Sequence, residues 1–549
     1  MIYTSKQPLS YPKDASLTDL LLHHNINKTP ADKPAIIDGI SGETVFTYAS
    51  FRSGVKKIAR HLQREVGVKP GDVVGILSTN RNYYPACVHG ILATGAVVSA
   101  LNPLYEPGEL SHALKLSRPS HILVEKDLLS RLTAAVSMTP GVDPVLHLWD
   151  SPRSEDQAKA LDIETILKTG STDFNPVKLS PGSAAKTLAF ICFSSGTSGL
   201  VKGVQLSHGN VVANIFQQSQ GLAGMFNPRT VTALIVPFFH ILGLAGFSCQ
   251  YVCQGAPIVV FKRFELPLLL KAVKRDKSKS AITHINVVPP IALEFLRNPV
   301  AAQGDYSSVQ CLVNAAAPLD QRQADELSKK IGCVVTQWYG MTEASPSVAS
   351  QREEEINVRG TIGRLLPGME MRVVDEEGKD TSIGEFIIRG PNIMQGYVVG
   401  AETVHSPMTA DGFMKTGDIG YVNDDGYLFI VDRAKEMIKV KGQQVAPAEL
   451  EAILITHPLV NDAAVCGVYN EHGTSEVPVA YISTSVEDPS ALESLKGEVL
   501  EHVNTRVARY KQIRGGILVL PAIPRNPAGK ILRRLLPANV ARCKVVAKL

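Results

Sequence analysis

No Cys-x-x-Cys pair occurs in this 549-residue chain, and none of its eight cysteines has a histidine nearby at metal-ligand spacing. That excludes a zinc ribbon and a dithiol redox motif, and leaves Cys87, Cys192, Cys249, Cys253, Cys311, Cys333, Cys466 and Cys543 as scattered thiols, expected free in a reducing compartment. Basic tracts interleaved with aromatics are also missing. With a formal charge of only +4, nucleic-acid binding is not expected, while small anionic ligands are compatible. The first fourteen residues lack a basic segment followed by an apolar one, so no secretory leader is expected. Between Arg229 and Lys262 there is no charged residue, a stretch long enough to span a bilayer. Pro237, His240, Gln250, Gln254 and several glycines interrupt it, and its pattern reads as strand, turn, helix and strand, so buried core is expected and no transmembrane segment. Internal repeats and low-complexity tracts are absent too.

What is present is 44% hydrophobic residues over a length that calls for at least two domains. Thr47 is placed to cap a helix whose apolar residues Phe51, Val55, Ile58 and Leu62 fall at helical spacing, and a strand over 73–77 follows Pro70-Gly71. A helix–strand pair follows over 86–101, and apolar strands recur at 285–288, 311–313 and 333–336 between helical patterns, which predicts stacked βαβ units. From about Gly360 the texture changes to short strands with turns at Asp375-Glu376-Glu377-Gly378 and Asp424-Asp425-Gly426. A polar, hinge-like run over 431–435 precedes a compact segment with an amphipathic helix over 448–457, stopped by Pro458. The expected organisation is a large body over 1–431, a hinge at 432–435 and a small cap over 436–549.

Residues 193–210 read FSSGTSGLVKGVQLSHGN. An apolar strand over 188–193 leads into Ser194, Ser195, Gly196, Thr197, Ser198 and Gly199, where hydroxyls and backbone N–H groups can surround an anion; Lys202 adds a cation and Gly203 closes the run. The position is a strand end, where α/β proteins place ligands. No Gly-Lys-Ser/Thr closes the loop, so this is not the Walker pattern. Three further runs follow in order: Gln337-Trp338-Tyr339-Gly340-Met341-Thr342-Glu343, Lys415-Thr416-Gly417-Asp418, and DRAKEMIKVKGQQVAPAE over 432–449 with Asn526-Pro527-Ala528-Gly529-Lys530 much later.

Together these runs, covering nearly the whole chain, resemble the signatures of the adenylate-forming superfamily of acyl-CoA synthetases, luciferases and peptide-synthetase adenylation domains. The Pro237–Gly243 run, PFFHILG, looks most like 4-coumarate-CoA ligase-type enzymes. The resemblance implies an α/β fold: a large multi-lobed N-terminal AMP-binding domain of stacked βαβ sheets with a small distorted β-barrel lobe, and a small mobile α+β C-terminal cap. It implies an AMP-forming acid–thiol ligase acting on ATP, a carboxylic acid and coenzyme A, with Mg²⁺ held by Glu343, since Mg²⁺ prefers hard oxygen ligands shared with phosphates. A donor to a carrier protein, a luciferase-like oxygenase and a catalytically silent nucleotide binder are the alternatives. No carrier-attachment segment follows Lys530, and retention of the charged motif residues disfavours the silent protein.

Residue by residue, the resemblance places the 194–199 run, Lys202, Ala315, Ala316, Gln337, Tyr339, Gly340, Met341, Thr342, Asp418, Ile430, Arg433, Gln444 and Lys530 around ATP or AMP. Asp418 would accept from the ribose hydroxyls. Lys530, His240, Thr342, Glu343 and Lys439 would be catalytic, Asp432 and Lys435 the hinge, and Lys441 and Gly442 the coenzyme A contacts. The acyl pocket would be His240, Leu242, Gly246, Ala315, Ala317, Trp338 and Gly340. Leu242 stands where hydroxycinnamate ligases have a tyrosine and Trp338 where relatives have a small residue, so a narrowed apolar pocket for an aryl or short-to-medium aliphatic acid is expected. No aspartate stands near Phe239 or His240 to meet a substrate ammonium. The final Ala547-Lys548-Leu549 is a variant of the Ser-Lys-Leu address read by the peroxisomal import receptor, which predicts a peroxisomal location, otherwise cytoplasmic.

Overall fold

The computed structural model describes residues 1–537, apart from 153, 156–157, 196–200, 223–224, 226–228, 275–280, 318, 400–402, 406–407, 434–435, 441–442, 470–475 and 527–528. Tyr48–His61 is helical because Thr47 and Ser50 form a reciprocal capping box, and because Phe51, Val55 and Ile58 bury one face completely. Each such side chain contributes roughly 1.5–3 kcal/mol on burial. The strands Val73–Leu77, Val97–Leu101, His121–Val124 and Val145–Leu148 then pair in parallel, alternating with helices Tyr84–Ala93, Pro107–Ser117 and Leu129–Ser137. Runs such as VVGIL are apolar throughout because helices cover both faces of a parallel sheet.

A second sheet repeats the plan. Pro34–Asp38, Ile258–Val260, Thr232–Leu234, His284–Val287, Cys311–Asn314 and Val334–Gly340 are parallel neighbours in that order, with antiparallel strands at both edges. The uncharged 229–262 stretch forms strand, helical segment (Leu242–Tyr251) and strand. No helix among the described residues is long and apolar enough to cross a membrane. Seven cysteines are free, buried thiols, whereas Cys543 lies outside the described residues.

The chain divides into two compact units, one of Tyr3–Glu370 with Arg389–Met414, the other of Met1–Ile2, Met371–Ile388 and Lys415–Leu549. The second unit holds a curled sheet in which Glu370–Val374, Gly384–Arg389, Met414–Val422 and Leu428–Arg433 follow in order. It also holds an α+β segment whose strands Asp462–Tyr469, Glu476–Ser483 and Ile517–Val519 carry helices Pro447–Ile455 and Pro489–Asn504. Leu450, Leu454, Val465, Ala480, Leu495, Val499 and Val503 form the core of that segment.

One local reading needs correction. Ser194 and Ser195 do not belong to a loop: they end the strand Leu188–Ser195, and Lys202 is the second residue of the strand Val201–Ser207, antiparallel to it. Alternation at Val204 and Leu206, both buried, gives the second strand its period of two. Lys415-Thr416-Gly417-Asp418 is part of a strand. It runs within Met414–Val422, where Gly417 takes φ +75° and Thr416 Oγ1 donates to the Phe386 carbonyl, kinking the strand without ending it.

Candidate functional site

In the larger unit the phosphate-loop strands carry the first group. Lys202 lies directly across from Ser194, so their side chains share a sheet face. Glu343, in the short turn Thr342–Ala344 that follows the Val334–Gly340 strand, is buried at 7% exposure. Its Oε1 accepts from Ser194 Oγ at 3.1 Å and from Tyr397 Oη at 2.8 Å. Lys202 Nζ stands 4.5 Å from the centroid of the Tyr397 ring. Tyr397 comes from the strand Gly396–Val399, which pairs antiparallel with Val201–Ser207. Residues 196–200 and the Ser195 side chain lie outside the described set, and with them the expected ligand contacts of Gly196, Thr197, Ser198 and Gly199.

The second motif divides between roles. Gln337 spends its amide on the backbone: Nε2 donates to the Leu319 carbonyl at 3.0 Å, and Oε1 accepts from Leu319 N–H at 3.2 Å and from Asn314 Nδ2 at 3.3 Å. Asn314 Nδ2 also donates to the Ala317 carbonyl at 2.9 Å, so Gln337 and the 315–317 turn are braced together. Within that turn Ala316 is exposed and adopts φ +70°, an unusual conformation for a residue with a Cβ. Gly340 is required by packing, since a Cβ there would stand 2.3 Å from the Pro346 carbonyl oxygen. Tyr339 and Trp338 are buried on the same strand, and Thr342 and Met341 are half-buried beside Glu343.

On the acyl side, His240 begins the turn into the Leu242–Tyr251 helical segment and accepts from Leu242 N–H through Nδ1 at 3.4 Å, which leaves Nε2 to carry the proton. Burial lowers its pKa to about 4, so the ring is neutral at physiological pH. Leu242 is buried and packs over Gly246, where an added Cβ would meet Leu242 Cδ1 at 3.2 Å.

The smaller unit brings together Asp418, Arg433 and Lys530. Asp418 is 2% exposed and pairs through Oδ1 with Arg433 Nε at 3.0 Å, the two residues being cross-strand neighbours. Lys530 stands behind a turn in which Gly529 takes φ +80°, Gly529 N–H donates to the Asn526 carbonyl and Lys530 N–H to Asn526 Oδ1. Its Nζ is 3.8 Å from Glu436 Oε1. Desolvation and the Arg433 charge lower the Lys530 pKa, while Glu436 and Asp418 oppose that shift. Asp432 is buried and accepts from the N–H groups of Arg433 and Ala448; desolvation raises its pKa. Ile430, on the strand of Asp432 and Arg433, pairs with Gly420 of the neighbouring strand. Lys439 and Gln444 face each other in a two-stranded ladder, their side chains outside the described set together with Lys435, Lys441 and Gly442.

Four residues with no assigned role in the sequence reading join these groups: Tyr397, Glu436, Arg533 and Glu451. Arg533 donates to Glu436 at 2.5 Å and to Glu451 at 2.6 Å. Glu451 lies on the buried face of its helix with Pro447, Leu450 and Leu454, a helical repeat whose one acidic member was the available signal. Tyr397 had no motif to mark it, because its partners are distant in sequence.

The AMP-binding enzyme family model matches residues 22–398, and the AMP-binding enzyme C-terminal domain model matches residues 449–530. A probable 4-coumarate–CoA ligase 1 of Dictyostelium discoideum is 36% identical over 97% of both chains. The acyl-CoA ligase azaF of Aspergillus niger is 34% identical over 92% of this chain and 95% of its own. In fold, the anthranilate CoA ligase AuaEII, solved with anthranoyl-AMP, superposes with a TM-score of 0.83 at 23% identity over 98% of this chain and 99% of that one. With both family models matched in order and relatives of this identity aligned along nearly the full length, the chain belongs to the AMP-binding, adenylate-forming enzyme family and is 4-coumarate–CoA ligase-like.

Proposed function

We propose that this chain is an ATP-dependent acid–CoA ligase that activates a small aryl or short-to-medium-chain carboxylic acid as its acyl-adenylate and passes the acyl group to coenzyme A. The observation that carries this reading is that a family member holds two such groups of side chains. Lys202, Ser194 and Glu343 offer a phosphate and metal site, and Asp418, Arg433 and Lys530 offer a diol acceptor with two cations beside it.

A carboxylate is a poor acyl donor because its charge repels nucleophiles and its leaving group would be oxide. In the first half-reaction it attacks the α-phosphorus of ATP in line, and pyrophosphate departs with the electrons of the broken P–O bond. Lys202 and the hydroxyl run would take the β- and γ-phosphates, Asp418 would accept from the ribose hydroxyls, and Lys530 would bridge the acid carboxylate and the α-phosphate. Glu343 fits Mg²⁺, since a buried carboxylate flanked by the Ser194 and Tyr397 hydroxyls is a set of hard oxygens. Bound there, the ion would supply neutralisation of phosphate charge. Neutral His240 would donate from Nε2 toward the acid or its adenylate without adding charge.

In the second half-reaction the coenzyme A thiolate attacks the adenylate carbonyl and AMP leaves. Lys530 then has to give way to the pantetheine arm, and rotation about 432–435 would exchange its face for the one bearing Lys439, Lys441 and Gly442. Buried Leu242 and Trp338 support a narrow apolar acyl site. The Ala547-Lys548-Leu549 tail, outside the described residues, supports a peroxisomal location through the import receptor.

Pyrophosphate release measured across aryl and aliphatic acids of increasing length, with and without coenzyme A, tests the activity. The expected result is acid-dependent release with thioester product only when coenzyme A is present; silence with every acid would refute the proposal. Removing residues 547–549 should turn a punctate fluorescent fusion diffuse, and diffuse signal with the tail intact would refute the location.

A further inference from the structure

Lys202 and Glu343 carry opposite charges, and both touch one aromatic side chain. Tyr397 Oη donates to Glu343 Oε1 at 2.8 Å, and Lys202 Nζ stands 4.5 Å from the centre of the same ring. We infer that Tyr397 is a positioning residue that keeps Lys202 and Glu343 from pairing with each other, holding the lysine ready for phosphate and the carboxylate ready for Mg²⁺. This rests on the phosphate and metal roles proposed above.

Two features support the assignment. First, Val204 pairs with Tyr397 across the ladder, so Lys202, two residues earlier, lies on the same face, the diagonal arrangement within reach of long side chains. The strand bearing Tyr397 closes on Gly203, where a Cβ would already stand 3.3 Å from Val398 Cβ. Second, both hydrogen bonds to Glu343, from Tyr397 and from Ser194, end on Oε1. Two donors on one oxygen fix the plane of the carboxylate and direct metal binding to Oε2.

The chemistry suits a site that must surrender its partners. An ammonium over an aromatic face is held loosely compared with a desolvated ion pair, so the arriving phosphates can take it. A direct Lys202–Glu343 pair would instead have to be broken before either ligand bound, and an ion pair lost from a partly buried site is costly.

The test is calorimetric titration of Mg²⁺ into the full-length protein with a non-hydrolysable ATP analogue, which needs no acid and no turnover. Tyr397→Phe keeps the ring and removes the hydroxyl. Half-saturating Mg²⁺ should rise roughly tenfold, the weight of one charge-assisted hydrogen bond, while analogue affinity at saturating Mg²⁺ should move less than about threefold. Tyr397→Leu removes both functions and lets the charges meet. In that background Lys202→Gln should improve Mg²⁺ binding, whereas in the parent protein the same change should not, and a structural defect has no reason to produce that reversal of sign. If Tyr397→Leu does not fold, the Tyr397→Phe titration decides alone. Parent-like Mg²⁺ titration in Tyr397→Phe, or no gain from Lys202→Gln in folded Tyr397→Leu, overturns the inference. A parent protein that binds no Mg²⁺ and analogue at all would overturn the proposed function as well.

Discussion

Around Lys530, charge is answered by charge: Asp418 by Arg433, Glu436 and Glu451 by Arg533, and Lys530 itself by Glu436 at the longer distance of 3.8 Å. Around Glu343, the partners are neutral: two hydroxyls on the carboxylate and an aromatic face under the lysine. Neutral partners orient a charge while leaving it uncompensated, as the phosphate and Mg²⁺ roles proposed for this site require. Ion pairs fix geometry more rigidly and are expensive to break on one side. The Lys530 neighbourhood therefore stakes stability on its network, and the Glu343 neighbourhood keeps its charges available.

The most damaging way to break the network is Arg533→Met, which leaves Glu436 and Glu451 without their shared guanidinium. Removing one partner of a buried ion pair costs about 3–5 kcal/mol, and urea unfolding should show the loss. Adding Glu436→Gln and Glu451→Gln should recover most of it, because the uncompensated charge leaves with the carboxylates. A triple variant no more stable than the single one would mean that Arg533 acts by packing alone.

Lys530→Ala probes the same neighbourhood through chemistry. Removing a cation that acts on the first transition state should slow adenylate formation by about 10²–10³-fold. Thioester formation from a synthetic acyl-adenylate should stay near the parent rate, since that step begins with the lysine withdrawn. Equal losses in both half-reactions would refute the division of labour.

A smaller effect separates the units by pH. Burial raises the Glu451 pKa to about 7 against the Arg533 charge, which lowers it. The folded chain therefore holds a proton that the unfolded chain has released, and this contribution is complete below the ordinary glutamate pKa and lost as pH rises through about 7. Glu451→Gln mimics the protonated form. The parent should lose about 1–3 kcal/mol relative to the variant between about pH 5 and pH 8, read from paired denaturant curves. A constant difference across that range would show that Glu451 stays ionised in the fold.

The same contrast explains what was legible in the sequence. Strand 73–77, the Thr47 cap and the residues Phe51, Val55 and Ile58 follow from local periodicity and capping chemistry, and they stand where expected. The placement of Lys530 was legible too, because the hydrogen bonds from Gly529 and Lys530 to Asn526 that fix it are local. Asp418 is held extended by pairing with the Leu428–Arg433 strand, a partnership that the Thr-Gly-Asp run does not announce. Tyr397 was invisible for a related reason. It meets Lys202 and Glu343 only after antiparallel pairing brings Gly396–Val399 onto Val201–Ser207, almost two hundred residues away in sequence.

Trp338 gives the smallest effect per step and tests the neutral side of the contrast, where shape rather than charge selects the ligand. Its indole is 8% exposed on the Val334–Gly340 strand, opposite Ser350. If it forms the end wall of the acyl site, Trp338→Gly opens space for several methylenes, and each newly buried one contributes about 0.8 kcal/mol. Preference should then move toward longer acids by roughly three- to fourfold in kcat/KM per added carbon until the space is filled. Short acids should bind less well for lack of the wall they packed against. The variant should also lose about 3–5 kcal/mol of stability, the usual cost of deleting a buried aromatic, so the profile is measured at a temperature where the variant is folded. An unchanged chain-length profile in that folded variant would make Trp338 a core residue and leave selection to Leu242 and the 315–317 turn.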